Sequence, residues 1–218
     1  MTENELRLIF VQTAKAYLGA QEGDERHKEI IDIYNSFTPY ARGVKMTYTA
    51  PWCAAFVTAM AIKCGLTDIV PPECGAISQM RLFMKLGRWE ENDAYEPRPG
   101  DIIYYVWNDS GAGDNTDDPD HVGIVCETKN GRITVIEGNK SDSVAYRVLP
   151  VDGRFIRGFG LPDFAAAAGG AKDTQRELDC AWAVEKGLIQ GYGDGSFGWD
   201  EPVTRGQLAS ILRRFAGM

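Results

Sequence analysis

Histidine is what this sequence has least of. His27 and His121 are the only two in 218 residues, so any reaction that needs an imidazole has two candidates. Cysteine is sparse too. Cys53, Cys64, Cys74, Cys126 and Cys180 are odd in number and widely spaced, which argues against a disulfide framework. No pair of them has zinc-ligand spacing, and with so few histidines neither a Cys/His metal site nor any other cofactor is expected. No stretch is apolar for long enough to span a bilayer. The opening Met1-Thr2-Glu3-Asn4-Glu5 is acidic, and the apolar core of a secretory signal does not follow it, so synthesis in the cytoplasm without a signal peptide is expected. Positive charge is also short, with 23 Lys and Arg against 31 Asp and Glu, a net charge of -8 and a pI near 4.9. With no local basic stripe, polyphosphate and anionic lipid are repelled. Neither a nucleic-acid partner nor membrane insertion is expected.

What is present is ordinary globular material, 44% hydrophobic and 25% charged. Leu6, Ile9, Phe10, Thr13, Ala14 and Tyr17 fall on one helical face that Gly19 closes. Further helices are predicted over Lys28 to Tyr34, from Pro51 to Cys64 with Gly65 as the stop, and from Ile77 to Leu86 before Gly87. After the turn Pro97-Arg98-Pro99-Gly100-Asp101 the pattern changes to strands. They are expected over Ile102 to Trp107, His121 to Glu127, Arg132 to Glu137, Val144 to Val148 and Phe155 to Phe159. Helices first and strands after, with short connections, predict an α+β fold: N-terminal helices packed on an antiparallel sheet. The chain divides into a first domain over residues 1–164, an Ala/Gly linker over 165–172 and a small helical module over 173–218.

Among the cysteines, Cys53 alone falls in the first turn of a helix. Unpaired N–H groups and the positive end of the helix dipole favour an anion there, and the anionic form of a thiol is the nucleophile. The same N–H groups could hold an oxyanion on a substrate carbonyl. Cys64 at a helix end and Cys126 inside a strand lack that position, and Cys74 and Cys180 read as small buried residues. Thiol catalysis needs a base, and the base needs a group to hold it. His121 starts one strand and Glu137 ends the next, with Asn139 just after. If Asn130-Gly131 were a two-residue turn, His121 would face Lys140 and Glu137 would point to the other side of the sheet. A three-residue loop, Lys129-Asn130-Gly131, puts His121 opposite Asn139 with Glu137 diagonal on the same side, so the catalytic reading predicts that looser hairpin. His27, among Glu25, Arg26 and Lys28, reads as part of a solvated helix face.

Four short segments then come into order: Pro51-Trp52-Cys53-Ala54-Ala55-Phe56-Val57, Pro99-Gly100-Asp101-Ile102, Asp120-His121-Val122-Gly123-Ile124-Val125 and Ile136-Glu137-Gly138-Asn139. Together they resemble a CHAP domain, a papain-like peptidoglycan amidase or endopeptidase related to the NlpC/P60 group and found in phage endolysins and bacterial wall hydrolases. The resemblance covers about residues 1–164. It implies a papain-like fold, Cys53 as nucleophile, His121 as general base and then acid, and Glu137 as the group that orients the imidazole. Asn139 is a further polar support, or the orienter in its place. Trp52, Tyr105 and Trp107 are expected to line the groove, with core packing at least as good a reading for Trp52. Some CHAP enzymes hold calcium through carboxylates flanking the cysteine. Val44 to Ala50 contains none, so no metal is expected there, and the acidic stretch Asp114 to Asp120 reads as a solvated loop.

In the tail, Ala181-Trp182-Ala183-Val184, Gly187 to Phe197 and Pro202 to Leu208 resemble an S-layer homology (SLH) motif. The resemblance implies binding to secondary cell-wall polysaccharide of a Gram-positive-type envelope. Its physical reading is a helix, a Gly-rich turn and a second helix capped by Thr204, with Arg205 in the first turn to meet an anionic sugar. The motif departs from the family at Trp199, where Pro is usual, and at Gly206-Gln207, where Ala-Glu is usual. A single copy either assembles between chains, as a trimer, or packs on the catalytic domain. The whole reads as an endolysin-type enzyme acting at the cell wall. The alternatives are a non-catalytic wall-binding protein and a papain-like peptidase acting on proteins.

Overall fold

The structure is a computed structural model, and it describes residues 1–110, 115–169, 182–184, 186–189 and 203–216. The chain forms two compact units, Thr2–Ala167 and, with Met1, Ala168–Met218. The first begins with four helices: α1 (Glu3–Lys15), α2 (Glu25–Ser36), α3 (Cys53–Cys64) and α4 (Ala76–Lys85). Six strands follow: β1 (Trp89–Glu90), β2 (Ile102–Tyr105), β3 (His121–Lys129), β4 (Arg132–Glu137), β5 (Ala145–Pro150) and β6 (Ile156–Gly160). They form one antiparallel sheet in the order β1-β6-β2-β3-β4-β5. The α+β fold expected from the sequence is the fold observed. The two-residue β1 is too short to carry a periodic signal and was not expected.

Helix α3 is the centre. Every residue from Cys53 to Ala61 is buried, and the helix packs against α1, α2 and β3. Alanines at 54, 55, 59 and 61 let those neighbours approach closely, while Phe56 and Met60 supply the bulk. Burying each of these two side chains contributes roughly 1.5–3 kcal/mol. Gly65, the stop expected from the sequence, ends the helix in the left-handed conformation at φ 66°. Side chains also fill the sheet's other face, where Ile103, Tyr105, Val125, Ile133, Val135, Ile156 and Phe159 form one cluster.

Helix α1 starts with a capping box between Thr2 and Glu5. Its buried face is Leu6, Arg7, Phe10, Val11 and Ala14, so Ile9, expected inside, is exposed and Arg7 is buried. The reason is Asp101. Its carboxylate is 1% exposed and accepts hydrogen bonds from Arg7 Nη1 (2.9 Å), Tyr95 Oη (3.1 Å) and the Arg98 N–H (2.8 Å). Arg7 Nη1 also donates to the Pro99 carbonyl at 2.8 Å. The Pro-Gly-Asp turn thus fastens the first helix to the entry of β2, and its aspartate has an architectural role.

The expected linker over 165–172 is partly helical: helix α5 covers 164–169. Four consecutive alanines are strong helix formers, the Asp163 carboxylate accepts from the Ala166 N–H, and Phe164 is fully buried beneath the Arg7 guanidinium. Residues 170–172 lie outside the described residues. In the second unit, helix α6 (Arg205–Ala216) begins after Thr204, whose hydroxyl accepts from the Gln207 N–H at 3.2 Å while Gln207 Oε1 accepts from the Thr204 N–H at 2.8 Å. The cap expected at Thr204 is therefore present as a full capping box. Of the SLH-like stretch, residues 181, 185 and 190–202 lie outside the described residues.

Removing a partner from a buried ion pair leaves the other charge uncompensated. Asp101→Ala is expected to destabilise the first unit by about 3 kcal/mol, read as a lower denaturation midpoint in urea with an unchanged slope. A loss under about 0.5 kcal/mol would show that the turn does not anchor α1.

Candidate active site

Cys53 is the first residue of α3 and is 9% exposed. Trp52 precedes it as N-cap but makes no side-chain cap hydrogen bond, so no side chain from that position occupies the N–H groups of the first turn. The hydrogen-bonding partners of the His121 imidazole are Cys53 and Glu137. Glu137 Oε2 lies 3.1 Å from Nε2, which leaves Nδ1 as the nitrogen for the thiol. Glu137 has no solvent exposure and is held on its far side by Arg147, which donates from Nε to Oε1 (2.6 Å) and from Nη2 to Oε2 (3.0 Å). The order Cys53, His121, Glu137, Arg147 is a continuous polar chain running from a helix N-terminus into the sheet.

The hairpin that creates this alignment is not the one predicted. Lys129 pairs with Arg132 across a tight two-residue turn, with Asn130 and Gly131 both at positive φ (52° and 68°). That turn alone would put Glu137 on the wrong face. The register is restored inside β3, where a bulge at Cys126 shifts the pairing between Val125 and Glu127. From there Val125 faces Val135 and Ile124 faces Ile136, a register that carries Gly123 to Glu137 and His121 to Asn139. The expected relation of His121, Asn139 and Glu137 therefore holds, through a bulge instead of a looser turn.

Two glycines make room for it. A Cβ on Gly123 would sit 2.6 Å from Val135 Cγ1 and 2.7 Å from Glu137 Cγ, so the space that the carboxylate's stem occupies exists because residue 123 has no side chain. A Cβ on Gly138 would meet Phe56 Cβ at 2.5 Å and the Trp52 ring at 2.9 Å, so Gly138 lets the end of β4 lie against the start of α3. These contacts give the physical content of the His-Val-Gly and Glu-Gly-Asn segments.

The remaining expected site residues divide. Trp107 is 38% exposed and lines a cleft of about 280 Å³ together with His121, Asn139, Lys140, Ser141 and Arg147. Tyr105 and Trp52 are both fully buried and offer no surface to a substrate, which corrects the groove assignment of Tyr105 and leaves core packing as the reading for Trp52. Tyr105 stacks between the strand and Trp107 (centroids 4.7 Å apart), and Trp52 packs on His27 (4.8 Å) with its Nε1 donating to Glu22 Oε2 at 3.2 Å. His27 is not on a solvated face: it is fully buried, and its Nδ1 accepts from the Gly23 N–H at 3.0 Å. The charged neighbours in sequence point outward while the imidazole turns in beneath Trp52. Asn139, at φ 56°, borders the cleft, and Glu137 is the group that holds His121 Nε2.

Arg147 was missed. Its signal was the alternation in β5, where it is diagonal to Glu137 on the face shared with Val135, but a lone arginine in a strand reads as a solvated side chain. Here its guanidinium lies 4.4 Å from the Trp107 ring centroid and 5.5 Å from that of Tyr105. Stacking and bidentate bonding together fix its position. Among the other cysteines, burial pushes the Cys64 and Cys74 thiols up and Cys126 up to about 11, which opposes thiolate formation at each. Cys180 lies outside the described residues. Among the described residues, no group of three or more His, Cys, Asp or Glu is placed to hold a metal ion, and no helix is long and apolar enough to cross a membrane.

A family model described as the CHAP domain matches residues 44–139, the span that contains Cys53, His121 and Glu137. A second model, the S-layer homology domain, matches residues 181–209. The sequence matches no curated protein. Solved structures that resemble it include "The crystal structure of Ly7917", at 11% identity, and "The crystal structure of Ly7917 with the hydrolyzing product of MDP", at 14%. Each aligns with a TM-score of 0.40 over 74% of this chain, which spans 63% of those chains. That likeness is too distant to carry an argument about chemistry.

Burial alone would lower the affinity of His121 for a proton. The bonds to Cys53 and Glu137 outweigh burial and push His121 up to about 9 from the usual 6.5. A raised histidine contributes stability that is complete below about 6.5 and is lost as the pH rises through about 9. The imidazolium is lost over the same interval. For a reaction that needs it, the alkaline limb of kcat/KM is expected near pH 9, and Glu137→Gln should move that limb down by about a unit or more while lowering the rate. An alkaline limb unmoved in Glu137→Gln would show that the carboxylate does not act on His121.

Proposed function

We propose that the chain is a peptidoglycan hydrolase that cuts an amide bond with Cys53, His121 and Glu137. The observation that carries this reading is the polar chain itself. A cysteine at an uncapped helix N-terminus is bonded to an imidazole whose other nitrogen is fixed by a buried carboxylate, all within a CHAP domain. This is the nucleophile, base and orienter of acyl transfer in their required order.

The Cys53 thiolate attacks the carbonyl carbon, and the C=O electron pair moves to oxygen. The Cys53 N–H, which has no partner within its own helix, is placed to stabilise that oxyanion. On collapse the C–N bond breaks and His121 gives its proton to the departing amine, leaving a thioester and a neutral imidazole. His121 then takes a proton from water, hydroxide adds to the thioester, and Cys53 leaves as thiolate to give the carboxylic acid. Glu137 stays ionised throughout. Burial pushes its carboxyl up, and the bonds from His121 and Arg147 outweigh that and leave it below the usual carboxylate range. The bond cut is that between muramic acid and the stem peptide, or one within the stem or cross-bridge.

The second unit would hold the enzyme at the wall through its S-layer homology domain, with peptidoglycan and wall polysaccharide as partners. Arg205 is exposed in the first turn of α6, available to an anionic sugar. Leu208, Leu212 and Phe215 follow at helical spacing and are each at least half exposed, an apolar face that supports assembly between chains; the assembly we propose is a trimer.

The direct test is clearing of Gram-positive sacculi by wild type and by Cys53→Ala. Wild type should release fragments whose masses name the bond, and Cys53→Ala should lose at least about 10³-fold. Clearing by both would overturn the cysteine mechanism. Binding of sacculi without clearing would leave a wall-binding protein, and cleavage of casein but not sacculi would leave a protein-directed peptidase. For the second unit, Arg205→Ala is expected to weaken cosedimentation with purified wall polysaccharide about tenfold, with clearing of polysaccharide-free sacculi unaffected. Equal cosedimentation would remove Arg205 from the binding face.

A further inference from the structure

Resting on the hydrolase reading, we infer that the cleft beside His121 is a subsite for a carboxylate on the leaving-group half of the substrate, with Lys140 as its specificity residue. The cleft holds about 280 Å³, just under the range of small-molecule sites, which suits a short piece of peptide and not a sugar chain. Its lining is Trp107, His121, Asn139, Lys140, Ser141 and Arg147. In a chain of net charge -8, the described lining holds two permanent cations and no acid. All five polar members can donate a hydrogen bond.

The charges of the polar chain cancel among themselves. The charge of Glu137 is met by the Arg147 fork and by His121. Two of the guanidinium nitrogens of Arg147 are committed to that carboxylate, so Arg147 adds a further donor but little free charge. Lys140, half-buried at the rim, makes no ion pair among the described residues and is the cation left over. A cleft bounded by the low-dielectric wall of Trp107 and carrying one uncompensated positive charge attracts an anion. Its backbone is preorganised. The Lys140 N–H donates to the Ser143 carbonyl at 2.9 Å, the Ser143 N–H donates back at 3.2 Å, and the Asp142 carbonyl accepts from the Glu22 N–H at 2.7 Å.

The side of the substrate follows from the chemistry. His121 protonates the departing amine, so the leaving half must lie against His121, and the cleft that His121 lines does not include Cys53. The occupant is therefore a stem-peptide residue on the amine side of the cut bond, and the anion is its carboxylate.

The test uses the full chain and two soluble cross-linked disaccharide-peptides, which contain all the candidate bonds and differ only in whether the stem carboxylates are free or converted to carboxamides. Wild type should favour the free acid about tenfold in kcat/KM, as expected for one charge-assisted contact. Lys140→Gln should bring the ratio of the two rates close to one, and Lys140→Arg should restore the preference. Equal rates on both substrates in wild type, or a preference undiminished in Lys140→Gln, would overturn the subsite. Cleavage of neither substrate by wild type would instead overturn the hydrolase reading and the subsite with it.

Discussion

The arrangement depends on one carboxylate kept entirely from water. An isolated buried anion costs several kcal/mol, and in a protein it usually picks up a proton instead. Glu137 keeps its charge because two cationic partners reach it from opposite sides, His121 from β3 and Arg147 from β5. The β3–β4–β5 meander is thus an electrostatic requirement as well as a sheet. If either neighbouring strand moved by one residue, its cation would pass to the other face and the carboxylate would be stranded. The bulge at Cys126, the missing side chain at Gly123 and the close approach at Gly138 all serve to set that one group in place.

The elements were legible in the sequence where a local signal decides them. Hydrophobic periodicity and Gly65 marked α3, the Pro-Gly-Asp turn marked the change from helices to strands, and scarcity alone reduced the imidazole to two candidates. What could not be read was what depends on contacts between distant segments. The two-residue turn follows from Asn130-Gly131, whose residues tolerate positive φ, and the local rule for that pair was the correct one. The register was rescued by a bulge, and a bulge in mid-strand leaves no mark on an unbroken run such as Val122 to Cys126. Arg147 was invisible for a related reason: an arginine in a strand announces neither its partner nor its burial. His27 and Ile9 were misplaced because sequence neighbours set the expected face, while Trp52 and Asp101 set the real one.

The aromatic residues show the same division between type and place. Trp52, Tyr105 and Trp107 were all groove candidates, with core packing at least as good a reading for Trp52, and only Trp107 reaches solvent. Tyr105 backs Trp107 and Arg147, so it shapes the cleft from behind without touching its contents. Trp52 occupies the N-cap of α3 without capping it, and its ring is fixed by His27 and Glu22. A polar cap there would engage the N–H groups that an oxyanion needs. A large, locked hydrophobe leaves them open while still holding the helix start rigid.

An anionic orienter also decides which form of the imidazole prevails. A neutral amide in the place of Glu137 would hold the ring equally well by geometry but would add no charge to oppose the cost of burial. Burial opposes the imidazolium, and the bonds to Cys53 and to Glu137, which Arg147 helps to keep ionised, outweigh it and push His121 up to about 9. In the proposed mechanism, the proton that the leaving group needs would then be in place at neutral pH before any substrate arrives. That advantage is electrostatic and local. On the scale of the whole molecule the net charge of -8 offers no long-range attraction to an anionic polymer network. If the chain acts on such a network as proposed, encounter would be helped by attachment. A second unit that binds the wall would do so by raising the local concentration of the first, with no demand on the active-site electrostatics.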